Sequence, residues 1–118
     1  MKYFGYHLML DCSGCNEGIK SRENIAAFVK DLVQRIDMTP HGDPIIEFLL
    51  PNDPKQGYSL MQLITTSNIT GHFIEPNYTA YFDVFSCKKF DIETVIQTVK
   101  EYFGAQNIRT NFITRHAD

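Results

Sequence analysis

Two segments of this chain carry apolar residues at helical spacing along one side only, and this limits the possible folds more than any other feature of the sequence. Ile25, Phe28, Val29, Leu32 and Ile36 recur at intervals of three and four, with Arg22, Lys30, Asp31 and Arg35 mostly elsewhere on the wheel. Ser21 stands where an N-cap belongs, Glu23 suits the first turn, and Pro40 lies beyond the end. Ile92, Val95, Ile96, Val99 and Phe103 repeat the pattern between Asp91, a second N-cap, and Gly104, a stop. A helix with one apolar stripe must bury it against another layer.

The remaining segments read as strands. Residues 3–11, 45–50, 58–65, 78–86 and 107–114 are rich in aromatic and β-branched side chains, with Ile108 and Phe112 the inward positions of the last. The stretches 12–20, 39–44, 51–57, 66–71 and 75–77 carry the Gly, Pro, Asn and Ser of turns and loops. The order strand, helix, several strands, helix, strand predicts an α+β fold. It is a two-layer sandwich, with two helices on one face of a mostly antiparallel sheet. The other face of the sheet also reads as apolar, which suits burial against another subunit.

At 118 residues the chain fits a single domain, 1–118. A net charge of -3 with acids and bases interspersed argues against nucleic acid, and no apolar run approaches a membrane span. The opening MKYFGYHLML is too short and too polar for a secretory signal, so a cytoplasmic location is expected. Cys12 and Cys15 form a CxxC that closes a strand instead of opening a helix, and no further ligand pair accompanies it. A structural role is expected, with no metal site. His7, in the middle of the first strand, is expected to be partly buried and hydrogen-bonded.

The chemistry concentrates between Tyr58 and Cys87. Ser59, Ser67, His72 and Cys87 follow one another at separations of eight, five and fifteen, flanked by apolar runs that set them at strand ends or turns. Taken singly, each is an ordinary turn serine, surface histidine or core cysteine. Together with Gly5-Tyr-His7-Leu8, Gly14-Cys15 and Asp83-Val-Phe-Ser-Cys87, the set resembles the bacterial-type S-adenosylmethionine decarboxylase proenzyme family from the first strand to the second helix.

That resemblance implies a self-processing enzyme of polyamine biosynthesis. The chain would cleave between Thr66 and Ser67, convert Ser67 to a pyruvoyl group, and form a Schiff base with the amine of S-adenosylmethionine before decarboxylation. It also implies a dimeric α+β sandwich. Ser59 and His72 would assist processing, His72 supplying an imidazole, the side chain type that exchanges protons near neutral pH. Cys87 would return a proton to the product. Glu75 would bind the ribose diol, and Phe48 or Tyr3 would face the adenine or the sulfonium.

Three positions depart from the family pattern. Thr66 stands where Glu usually precedes the serine, Asn68 where His often follows it, and Glu75-Pro76 reverses the usual Pro-Glu. The acyl shift uses a backbone carbonyl and does not require the acid at 66. The reversal moves a carboxylate by one position, which in a strand turns it to the other face. Two other functions are compatible with the residues. One is a pyruvoyl decarboxylase of another amino acid, arginine or ornithine. The other is a non-catalytic homologue that binds an adenosyl ligand or a partner subunit.

Overall fold

A computed structural model of the chain describes residues 4–118. Strands β1 (Gly5–Ser13), β2 (Ile45–Leu49), β3 (Gly57–Ile64), β4 (Ser67–Ile74), β5 (Thr79–Ser86) and β6 (Asn107–Arg115) form one antiparallel sheet in the order β2-β3-β4-β5-β1-β6. Helices α1 (Arg22–Arg35) and α2 (Ile92–Phe103) cover one face, as the amphipathic spacing requires.

The caps explain where the helices begin and end. Ser21 Oγ accepts from the Asn24 amide at 3.1 Å, satisfying one of the orphan donors of α1. Gly104 closes α2 in the left-handed conformation, with φ at 59°. Asp91 occupies the cap position of α2, but its carboxylate accepts from the Thr94 hydroxyl at 2.7 Å rather than from a backbone amide. Arg35 ties the helices together by pairing with Asp31 and Glu101, and these bonds hold both carboxyls below their usual range.

Alternation decides which strand residues enter the core. Leu8 and Leu10, Leu60, Ile69 and Phe73, and Phe82 and Val84 are all buried beneath the helices. There Phe28, Phe73, Phe82 and Phe103 pack ring against ring at centroid distances of 4.9–5.7 Å. Ile108 and Phe112 share this side, Phe112 stacking on Tyr6. The intervening residues line the open face, where Ile45, Leu49, Met61, Leu63, Tyr81 and Ile113 each keep between 41% and 59% of their surface exposed.

Residues 66–71 are mostly strand and not a turn. Only Thr65 and Thr66 separate Ile64 from its register partner Ser67, and β4 runs on through the segment. Ile69 and Gly71 are buried while Asn68 and Thr70 lie on the open face, so a polar composition conceals an alternating strand.

Gly57 fixes where β3 begins. Its φ is 156°, and a Cβ there would lie 1.7 Å from the Phe73 carbonyl oxygen. Gly57→Ala is expected to lower stability by about 1–3 kcal/mol through backbone strain, with separation of β3 from β4 adding to the loss. An unchanged urea midpoint would contradict this.

Candidate active site

The β3–β4 hairpin sets the site. Two β-branched residues, Thr65 and Thr66, make its loop, and neither is among the described non-glycine residues with positive φ. Two-residue hairpin loops favour turns with φ > 0, which β-branched residues resist. The irregularity falls instead on Ser67, whose φ is 153°. That value lies in a region essentially reserved for glycine and costs about 1–3 kcal/mol. The backbone is therefore strained at the bond where cleavage is expected.

The carbonyl of that bond is already engaged. The Cys87 amide donates to the Thr66 oxygen at 2.9 Å, because Ser67 pairs with Ser86 and the chain leaves β5 immediately afterwards. A carbonyl held by an N–H is polarised, and the same donor stabilises negative charge on its oxygen during attack. The Thr66 side chain turns inward: Ser86 Oγ donates to Thr66 Oγ1 at 2.7 Å, and Met38 Sδ lies 3.4 Å from that oxygen. Sequence reading missed both contributions. A backbone amide has no sequence signature, although alternation with Phe82 and Val84 does assign Ser86 to the helix side.

Ser59 and His72 face each other across β3 and β4, and Ser59 Oγ shares a 3.0 Å hydrogen bond with His72 Nδ1. Neither sits at a strand end, contrary to expectation; hairpin register places them inside their strands. Holding Nδ1 orients the ring and leaves Nε2 available. The pair borders a cleft of about 460 Å³ lined also by Leu49, Leu50, Tyr58 and Ile74. Glu75 follows at the end of β4, its carboxylate accepting from Gln56 Nε2 at 3.1 Å. Since it lies in the turn after the strand, the expected one-position flip of faces does not apply.

Other predicted residues fall elsewhere. Phe48 pairs in register with Tyr58 and packs edge-on against it, two positions from buried Ile46 and thus on the helix side. Alternation separates it from Ser59 and His72. Tyr3 lies outside the described residues. His7 has its partner, Asp83 Oδ1 at 2.9 Å.

Within one chain the pieces do not converge. Ser67 and His72 lie five residues apart in β4, which at strand rise is roughly 17 Å. Cys87 belongs with Ser67, while Ser59 and Glu75 belong with His72.

Burial pushes the Cys12 thiol up to about 12, with Cys15 and Asp11 adding to the effect, and pushes Cys15 up to about 11. Both thiols stay protonated and buried, against a redox pair, while Cys87 is exposed. At pH 8 iodoacetamide is expected to label the native chain once, at Cys87, and the denatured chain three times. A second label on the native chain, read by peptide mass, would contradict this. Among the described residues no group of three or more His, Cys, Asp or Glu side chains could hold a metal ion, and no helix is long and apolar enough to cross a membrane.

Comparison with known proteins decides the family. The sequence pattern of S-adenosylmethionine decarboxylase matches residues 6–116. The chain belongs to the S-adenosylmethionine decarboxylase family. An S-adenosylmethionine decarboxylase proenzyme from Clostridium botulinum (strain Loch Maree / Type A3) is 33% identical over 103 residues, covering 86% of this chain and 84% of the relative. The proenzyme from Clostridium botulinum (strain Langeland / NCTC 10281 / Type F) is 32% identical over 117 residues, 98% of this chain and 97% of its own. The crystal structure of the adenosylmethionine decarboxylase from Aquifex aeolicus VF5 superposes with a TM-score of 0.82 at 19% identity, over 100% of this chain and 95% of that one. The α+β sandwich is therefore the architecture of a solved member of the S-adenosylmethionine decarboxylase family.

Proposed function

We propose that the chain is a self-processing S-adenosylmethionine decarboxylase, working as a homodimer, that cleaves itself between Thr66 and Ser67. The observation that carries this reading is the Thr66–Ser67 peptide: φ is strained at Ser67, and the carbonyl is already bound to the Cys87 amide. Ser67 Oγ attacks the Thr66 carbonyl carbon, the Cys87 N–H holds the resulting oxyanion, and the C–N bond breaks as the ester forms. Removal of the Ser67 α-proton then expels the Thr66 carboxylate. The dehydroalanine left behind takes up water and releases ammonia, leaving a pyruvoyl group at residue 67. Relief of backbone strain favours the first step.

The surroundings of Ser67 suit that group, with an exposed thiol at Cys87 and a backbone amide beside it. When formed, the pyruvoyl carbonyl supplies an electrophile for the substrate α-amine and a sink for the electrons left by carbon dioxide. Cys87 is the proton donor on that side. His72, oriented by Ser59, is the base for the α-proton, and Glu75 accepts hydrogen bonds from the ribose diol.

Proton transfer needs contact near 3 Å, so the roughly 17 Å along β4 excludes His72 of the same chain. Ser67, the first residue of β4, pairs with helix-side Ile64 and Ser86, and a second copy packed against the open face supplies the missing pair across the end of the sheet. The exposed apolar residues of that face support this arrangement, since a monomer has no reason to leave them in water.

The test is substrate turnover by the processed protein. Carbon dioxide release from S-adenosylmethionine is expected, with none from ornithine or arginine. Turnover of either amino acid in place of the adenosyl compound would contradict the proposal.

A further inference from the structure

We infer that Ser86 is a positioning residue for self-cleavage, its buried hydroxyl holding Thr66 so that the scissile carbonyl stays on the Cys87 amide. The inference rests on the cleavage reaction proposed above and adds to it a residue that acts through Thr66.

Ser86, the last residue of β5, and Cys87, the next, both bond to Thr66, and the Lys88 amide holds Ser86 in turn. Ser86 Oγ donates to Thr66 Oγ1 at 2.7 Å and accepts from the Lys88 amide at 3.0 Å, while the Cys87 amide donates to the Thr66 oxygen at 2.9 Å. Ser86 has no exposed surface and Thr66 is partly buried, so the side-chain contact is largely shielded from water. With the Lys88 N–H pointing at its oxygen, the Ser86 hydroxyl hydrogen points away from that amide, toward Thr66 Oγ1 at 2.7 Å in preference to Met38 Sδ at 3.7 Å. Thr66 Oγ1 in turn donates to Met38 Sδ at 3.4 Å.

The consequence is mechanical. Thr66 sits in a hairpin loop whose twist does not match its strands, and the conflict is expressed one residue later at Ser67. A loop under such strain relaxes if its side chains are loose, and relaxation would rotate the carbonyl off the Cys87 amide. The side-chain hydrogen bond opposes that rotation. It also gives the Thr66 side chain a role of its own: a hydroxyl can accept from Ser86 and donate to a thioether at once, which a carboxylate cannot.

The experiment uses the full chain made by cell-free synthesis, following cleavage by mass after synthesis stops and recording the melting temperature of each variant in a Ser67→Ala background. Ser86→Ala and Thr66→Val are each expected to slow cleavage about tenfold, the effect of one lost hydrogen bond in the transition state. The double variant should be no slower than either single variant, because both remove the same contact. Ser86→Thr and Thr66→Ser should retain a rate near that of the native chain. Cleavage at the native rate in Ser86→Ala, or fully additive slowing in the double variant, would overturn the inference. So would slowing that tracks the loss in melting temperature and is not restored by Ser86→Thr. A native chain that never cleaves contradicts the proposed function itself, and the inference falls with it; a native chain that cleaves as fast as Ser86→Ala defeats the inference alone.

Discussion

Ser67→Ala is expected to remain one chain of 118 residues indefinitely, with the fold unchanged. The variant removes only Oγ, the atom proposed to attack, and leaves the Thr66 carbonyl on the Cys87 amide. No other hydroxyl can replace it: Ser86 Oγ is committed to Thr66 and Lys88, and Ser59 lies at the far end of the hairpin. Loss of cleavage should therefore be complete rather than partial, and decarboxylation should vanish with it because no pyruvoyl group forms. The melting temperature should stay close to that of the native chain before cleavage, which separates lost chemistry from lost folding. Fragments appearing in the alanine variant at the native rate would assign cleavage to some other process, such as a contaminating protease.

The second large effect concerns His72. His72→Ala is expected to slow cleavage by about 10²–10⁴-fold, the usual cost of losing a positioned base. Mixing it with Ser67→Ala should then restore cleavage of the His72→Ala chain, half of the total protein at most. In a mixed dimer of the proposed kind, the Ser67 of one subunit would meet the Ser59–His72 pair of the other. If the same chain supplied both groups, each variant would stay inactive in the mixture. With His72 as the base, the distance along β4 predicts the first outcome. Exchange of subunits must be allowed before assay, by co-expression or by prolonged mixing, and labelling one variant with heavy isotopes identifies which chain is cut.

The helices were legible because their signals are local and redundant. Apolar spacing, Ser21 and Gly104 all point to the same boundaries, and the pattern of one apolar face on each helix requires a sheet beneath. The β4 strand was not legible by composition. Asn68 and Thr70 read as turn residues because β4 turns its polar side chains to the open face, and on the core side Gly71 interrupts the apolar signal of Ile69 and Phe73.

The site was legible as a set of residues and not as an arrangement. Spacing singles out Ser59, Ser67, His72 and Cys87 but does not say which of them meet. Once the two-residue loop at Thr65–Thr66 is known, counting back along the hairpin places Ser59 opposite His72 and moves both away from Ser67. Register thus carries information that a list of separations lacks. Phe48 illustrates the same point, since one step of alternation puts it on the helix side. The Cys87 amide was beyond reach for a different reason: every residue but proline has one, and only tertiary placement makes this one face the Thr66 carbonyl.

The intact mass of the native protein, taken immediately after purification and again after several days at room temperature, addresses self-cleavage most directly. The expected result is two polypeptides, residues 1–66 and 67–118, the second beginning with a pyruvoyl group in place of serine and so resistant to Edman degradation. A single species of 13.6 kDa that persists throughout would contradict self-cleavage at Thr66–Ser67.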